Sequence, residues 1–253
     1  MKNTFALSRN IMRRIFITTL AITLVNFAFA QADTIVRTRS LNLKENRTSN
    51  DHFLIQLGHT IWTGKPDSIN TKGWSRSFNA YLMLDFPFKT NPKWSVALGP
   101  GISTENMFFK ETYVGIKENS TTLKFTNQAD TNHFKKYKLA VAFLEAPVEL
   151  RFRSNTNDDK KSVKFAIGAK IGMILNAHVK GKELQDKNNN TLTAYTQKES
   201  SKRFFNKNRL SVTGRAGYGH FSLFGSYAIT PLFKEGFAAQ IRPFTFGLTL
   251  SGL

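Results

Sequence analysis

The segment from Ser162 to Asn176, SVKFAIGAKIGMILN, alternates two kinds of residue without a break. Its odd positions, Val163, Phe165, Ile167, Ala169, Ile171, Met173 and Leu175, are all apolar, whereas the even ones include Lys164, Gly168, Lys170, Gly172 and Asn176. A helix would mix the two sets. An extended strand separates them, because successive side chains point to opposite sides. One face then requires hydrocarbon while the other carries ammonium groups and glycines. A strand has this division when it crosses a bilayer as one wall of a closed barrel, with lipid outside and a polar bore inside.

The start of the chain points to export. Lys2, Arg9, Arg13 and Arg14 precede an apolar run from Ile15 to Phe27, and Ala28-Phe29-Ala30 forms an A-x-A cleavage site. Together these read as a cleavable signal peptide over residues 1–30. The apolar run falls short of the roughly 20 residues of a spanning helix and contains Asn26. No cysteine occurs, so neither a lipid-bearing cysteine nor a disulfide framework is available, and stability must come from burial and backbone pairing. Removing the leader, with its four basic residues and no acidic one, takes the net charge from +19 to +15. An exported basic chain meets anionic lipid, polysaccharide and phosphate groups, and no nucleic-acid partner is expected. Mean hydropathy of −0.30 would ordinarily suit a soluble protein. In a barrel only every second strand residue meets lipid, so that inference does not hold.

Similar segments recur along the rest of the chain. Phe53, Ile55, Leu57 and Ile61 alternate with Gln56, Gly58 and Thr60, and Phe78, Ala80, Leu82, Leu84 and Phe86 with Asn79, Tyr81, Met83 and Asp85. Trp94, Val96, Leu98 and Ile102 form a third strand, with a bulge or edge distortion expected at Pro100. The fourth runs from about Tyr137 to Arg153, with Leu144, Ala146, Val148, Leu150 and Phe152 opposite Glu145, Glu149, Arg151 and Arg153. The opening segment is the fifth. The sixth covers Leu210 to Tyr218, the seventh about Phe221 to Thr230, and the last about Ala239 to Leu250. The expected fold is therefore all-β: an eight-stranded antiparallel up-and-down transmembrane β-barrel over residues 51–253, behind the signal peptide and a periplasmic N-terminal arm, 31–50.

The connections alternate in length. Those at 87–93, 154–161 and Gly219-His220 are short, whereas 104–136 and 177–208 read as long loops, with 63–73 and 231–238 intermediate. Short turns at one end and long loops at the other is the asymmetry of outer-membrane barrels, and it places both termini in the periplasm. Trp62, Trp74, Trp94 and Tyr137 fall near strand ends, where interfacial aromatic girdles belong.

Eight strands enclose only enough space for their own side chains, so open conduction is not expected. Asp85, Glu145, Glu149, Arg151, Arg153, Lys164, Lys170 and Arg215 all fall on the bore face, where an unpaired charge is costly. They are expected to pair across the strands as a charge network.

The run Phe143-Leu144-Glu145-Ala146-Pro147-Val148-Glu149-Leu150-Arg151-Phe152, followed after a polar turn by Lys164-Phe165-Ala166-Ile167-Gly168-Ala169-Lys170-Ile171-Gly172, resembles the paired central strands of PorT-like outer-membrane β-barrel proteins of the Bacteroidetes. The likeness extends over about residues 50–253, with Ala146 where a larger aliphatic residue is common. It implies a small outer-membrane barrel, some members of the family being linked to type IX secretion and gliding, and it supplies no catalytic residues. The chain departs from the usual barrel ending, in that Leu253 follows Ser251-Gly252 where an aromatic residue often stands.

Catalytic chemistry has little support. The five histidines are scattered without a metal-ligand spacing, no G-x-S-x-G elbow occurs, and a pairing of His59 or His220 with Ser222 has nothing local behind it. No enzyme, cofactor or metal site is expected. Residues 178–208 carry seven basic side chains against three acidic ones, which suits lipid phosphates or an acidic partner. Lys180, Lys182, Lys198, Lys202, Arg203 and Phe204 are the candidate loop contacts; the plainer alternative is a solvated loop whose apolar residues pack at the rim. The leading expectation is a non-enzymatic outer-membrane interaction or assembly component, with outer-membrane lipid and proteins of a secretion or envelope complex as partners. A soluble exported ligand-binding barrel and an outer-membrane lipid-modifying enzyme are the alternatives.

Overall fold

The alternating segments form the walls of one sheet. The computed structural model describes residues 52–156 and 158–252; the signal segment 1–30 and the arm 31–50 lie outside the described residues. In chain order the strands are β1 Phe53–Thr63, β2 Arg76–Leu82, β3 Leu84–Pro87, β4 Trp94–Leu98, β5 Gly101–Phe109, β6 Thr112–Val114, β7 Phe125–Asn127, β8 His133–Arg153, β9 Val163–Gln185, β10 Thr191–Ser200, β11 Asn208–Tyr218, β12 Phe221–Ala228 and β13 Arg242–Ser251.

Pairing runs β1 to β2, β2 to β5, β5 to β8, β8 to β9, β9 to β11, β11 to β12, β12 to β13, and β13 back to β1, antiparallel throughout. The sheet is therefore a closed ring. Such closure pairs each wall on both sides over most of its length, β3 pairing with β4 alone among the described residues; pairing of this kind is a requirement in hydrocarbon, where no water can satisfy backbone groups. β3 and β4 belong to the same walls as β2 and β5. Tyr81 faces Gly101 and Leu84 faces Leu98, so the register crosses Met83 and Pro100 without gaining or losing a residue. Eight walls result. Of the bulge or edge distortion expected at Pro100, the strand shows a local interruption between Leu98 and Gly101 without a bulge, because proline has no N–H to give, and its carbonyl still accepts from Leu82 N at 2.9 Å.

The register shift lies elsewhere. Between β8 and β9 the pairing steps by one residue after Ala142, opposite Leu175. Below this bulge the odd residues of β9 face outward, Ile167 being 69% and Ile171 65% exposed, while Lys164 and Lys170 are buried. Above it Ala177 and Val179 are buried instead. An extra residue in a strand of period 2 turns every later side chain to the other face.

This corrects the reading of 104–136 and 177–208 as plain loops. β5 continues to Phe109, β8 begins at His133, and β9 runs on to Gln185 before folding back as β10. Above Phe143 the polarity of β8 inverts, with Tyr137, Leu139 and Val141 inside. Alternation that reverses its sense no longer resembles a membrane strand, although the backbone pairing is unbroken. The aromatic girdle also needs correction. Trp74 and Trp94 are exposed, but Trp62 and Tyr137 are buried, since Trp62 shares the parity of Gln56 and Thr60.

At Gly168 β9 lies close against β8: a Cβ there would stand 2.1 Å from the Val148 carbonyl oxygen, against 3.9 Å to the nearest atom at Gly214. Gly168→Val should destabilise the ring by about 1–3 kcal/mol, and Gly214→Ala should change stability by less than about 0.5 kcal/mol. Following the compact band on unheated gels against temperature measures both; equal melting of the two variants would contradict the close approach.

Candidate functional site

The interior has two layers, set by which residues the walls turn inward. Toward the short-turn end lies the polar layer. Gln56 Nε2 donates to Thr249 Oγ1 at 3.1 Å, Asn79 Nδ2 to Gln56 Oε1 at 3.1 Å, and Ser103 Oγ to Asn79 Oδ1 at 2.8 Å. Arg209 continues the chain, donating to Ser103 Oγ at 3.2 Å and to Glu105 at 2.5 Å, and it also binds Glu145. Glu145 in turn accepts from the Tyr81 hydroxyl at 2.6 Å and lies 3.5 Å from Lys170 Nζ. This continuous path ties β13, β1, β2, β5, β11, β8 and β9 together across the bore.

A second cluster sits nearer the short turns. Glu149 accepts from Arg151 at 2.9 Å and from Arg215 at 3.3 Å, Arg151 reaches Asp85 at 3.4 Å, and Ser95 donates to Asp85 at 2.8 Å. All eight residues read as a bore network, Asp85, Glu145, Glu149, Arg151, Arg153, Lys164, Lys170 and Arg215, are buried. Arg153 donates to the Pro92 carbonyl at 3.4 Å. Among the described residues the buried charges comprise four carboxylates and six cations once Glu105 and Arg209 are included. Those two escaped the sequence reading for plain reasons. Glu105 fell in a stretch taken for a loop, and Arg209 immediately precedes the first residue assigned to its strand, although its parity with Ser211 and Thr213 would have placed it inside.

The second layer fills the long-loop end. Trp62, Phe109, Tyr137 and Phe143 from the walls meet Ile69, Val114, Ile116, Leu123, Phe204, Phe205, Leu232 and Phe233 from the connections. Each long connection thus contributes at least one side chain to a common plug. Trp62 packs edge-on against Phe109, Phe125 and Phe233 at 5.6–6.4 Å between centroids, within the range of favourable aromatic contact. Arg209 joins the layers, its guanidinium lying 3.8 Å from the Phe143 ring centroid.

Among the candidate loop contacts, the structure separates Phe204 from the rest. Phe204 and Phe205 are fully buried in the plug, so Phe204 offers no surface anchor, because a phenyl ring beside an unfilled barrel mouth gains more by leaving water. Arg203 lies over the Phe204 ring at 5.2 Å, and Lys202 Nζ donates to the Leu175 carbonyl at 3.3 Å. Lys180, Lys182 and Lys198 lie on β9 and β10. Of the histidines considered for catalysis, His59 Nδ1 contacts the Ser75 carbonyl at 2.7 Å, and His220 Nδ1 the Ser251 carbonyl at 2.9 Å. Two voids that reach the bore measure about 10 Å³ each, about the room for one water. A larger crevice of about 280 Å³ opens at the long-loop end among Lys72, Lys110, His133, Phe134 and Lys135.

The family model described as outer membrane protein beta-barrel domain matches residues 30–235. The chain belongs to that family. It is an integral outer-membrane protein, and its exposed belt of Leu57, Phe165, Ile167, Ile171 and Leu223 is the surface that lipid covers. The soluble exported alternative fails on the same grounds. No curated protein matches. Two solved structures of Ail, the attachment invasion locus protein of Yersinia pestis, one of them in complex with the heparin analogue sucrose octasulfate, align at 14% identity. They cover 79% of this chain and 94% of theirs, with TM-scores of 0.34 and 0.33.

Removing the Arg209 cation strands the buried Glu105 carboxylate and leaves Glu145 to Lys170 and Tyr81. Arg209→Met should cost about 3–5 kcal/mol, whereas the double variant R209M/E105Q should recover most of that loss. Urea midpoints in detergent micelles test this, and a double variant no better than the single one would show that the guanidinium acts by packing alone.

Proposed function

We propose that this barrel is a non-conducting, non-enzymatic component of the outer membrane that works through its long-loop end as an interaction or assembly element. The filled bore carries the reading. An ionic layer and an aromatic plug lie in series, and the two voids described in the bore hold about one water each, which supports a role for the outer surface, where the crevice of about 280 Å³ opens. The unequal connections support an orientation with short turns and both termini in the periplasm, behind a leader cleaved after Ala30. Resemblance of the β8–β9 pair to PorT-like barrels supports a place in an envelope or secretion complex, type IX secretion being the specific reading. That last step rests on family analogy and not on a site.

Reconstituted in planar bilayers, the protein should show no stepwise conductance. Phe205→Ala should lower stability by about 3–5 kcal/mol and still not conduct, because the ionic layer remains beneath the plug. Stable openings in either protein would refute the filled-bore reading. The absence of native cysteine makes sidedness directly testable. A membrane-impermeant maleimide should label Lys117→Cys on intact cells and Asn91→Cys only after permeabilisation; the opposite pattern would invert the orientation. Crosslinking from the Lys117 position should then capture envelope proteins.

A further inference from the structure

Above the lipid-facing belt the outer face of the barrel carries cations in register. Lys138 on β8 lies directly opposite Lys180 on β9, and Lys180 directly opposite Lys198 on β10. In the next row Lys136 faces Lys182. These lysines turn away from the bore, since Leu139 and Val179 beside them are buried inside. At the near end of the grid, Arg76 on β2 approaches the Phe108 ring to 6.0 Å, and Lys138 approaches it to 5.9 Å. Like charges directly opposite one another on adjacent strands repel. Partial burial first, and then the ammonium groups of Lys180 and Lys182, hold the Lys138 amine below the usual lysine range. Lys138 donates to Asn106 Oδ1 at 2.6 Å, which orients the ammonium without neutralising it. The nearby carboxylates serve other cations or other faces: Glu183 pairs with Lys135 at 2.8 Å, and Glu199 contacts Gln197 at 2.8 Å on the plug side.

The position of the grid says what supplies the missing charge. The same strands carry Leu144, Met173 and Leu175 just below it, so whatever covers the lysines is continuous with the lipid. Lys138 stands six residues beyond Leu144, about 20 Å along the strand and about 15 Å along the bilayer normal at the usual strand tilt. The headgroup zone of a glycerophospholipid layer extends only about 5–8 Å beyond the hydrocarbon. Phosphates carried on a saccharide headgroup stand higher and meet the lysine ammoniums. We propose that Lys138, Lys180 and Lys198, with Lys182 above them, form a binding site for the phosphorylated sugars of an outer-leaflet glycolipid. Lys202, hydrogen-bonded to the Leu175 carbonyl, lies at the belt boundary and supplies a cation at the foot of the site.

This inference rests on the outward orientation proposed above, but its test does not, because it uses purified full-length protein in detergent. Native mass spectrometry with rough lipopolysaccharide, the same lipid after dephosphorylation, and phosphatidylglycerol should give adducts in that order of preference reduced to one: abundant with the first, at least tenfold fewer with the other two. K138Q/K180Q/K198Q should lose those adducts about tenfold, K138R/K180R/K198R should keep them, and K110Q/K117Q/K124Q, which removes equal charge elsewhere, should match the wild type. The melting midpoint separates binding from misfolding. In zwitterionic detergent the glutamine triple should melt at or above the wild type, since repulsion is relieved; with the glycolipid added, only the wild type should gain. Equal adducts for the two glutamine triples, insensitivity to dephosphorylation, or equal uptake of phosphatidylglycerol would each overturn the proposal.

Discussion

Everything in this molecule depends on β8 meeting β9. Without that long antiparallel pairing the sheet would be an open ribbon with two unsatisfied edges, and a bilayer cannot tolerate either. With it, the eight walls join in a ring and the side chains are sorted into those that meet lipid and those that meet one another. Glycines keep the approach close at the points where the chains nearly touch, Gly168 against Val148 among them. Closure also fixes the interior volume, and with it the chemistry the bore can contain.

The bore is filled by two different physical means. In the polar layer the hydrogen bonds from Thr249 through Gln56 and Asn79 to Ser103 each cross from one wall to the next, and the bond from Arg209 to Ser103 spans the bore, so the network acts as a set of struts. Its carboxylates and guanidiniums could not stand alone at that depth, and each is stabilised by the others. The plug uses dispersion and hydrophobic burial, with apolar side chains from four connections interlocked over the mouth. Arg209 touches both layers through Glu145 below and Phe143 above. On β8 and β9 the outer face changes from apolar side chains at Leu144 and Met173 to lysines at Lys138 and Lys180.

That boundary is encoded differently in the two long strands. On β8 the pattern itself reverses: odd residues are charged at Glu145, Glu149, Arg151 and Arg153, with Pro147 among them, and apolar from Tyr137 to Phe143, with the outward face changing accordingly. On β9 the odd positions stay apolar from Val163 through Val179, and the lysines stay even; the bulge at Leu175 turns the apolar set from lipid toward the plug. Both solutions put hydrocarbon outside in the membrane and inside above it. Only a change in pattern or a change in phase can do so in a strand of period 2.

The sequence by itself determined the walls, because burial on one face of a strand imposes alternation that can be read residue by residue. The eight charged positions of the bore network and the unequal connections follow from it directly. Parity alone would also have placed Trp62 and Arg209 inside. The tertiary structure decided what depends on contacts between distant segments: which carboxylate each guanidinium reaches, the phase shift opposite Ala142, the continuation of β5, β8 and β9 above the membrane, and the withdrawal of Phe204 from the surface. Local pattern records the solvent a residue meets, but register and packing arise only when separate strands are brought side by side.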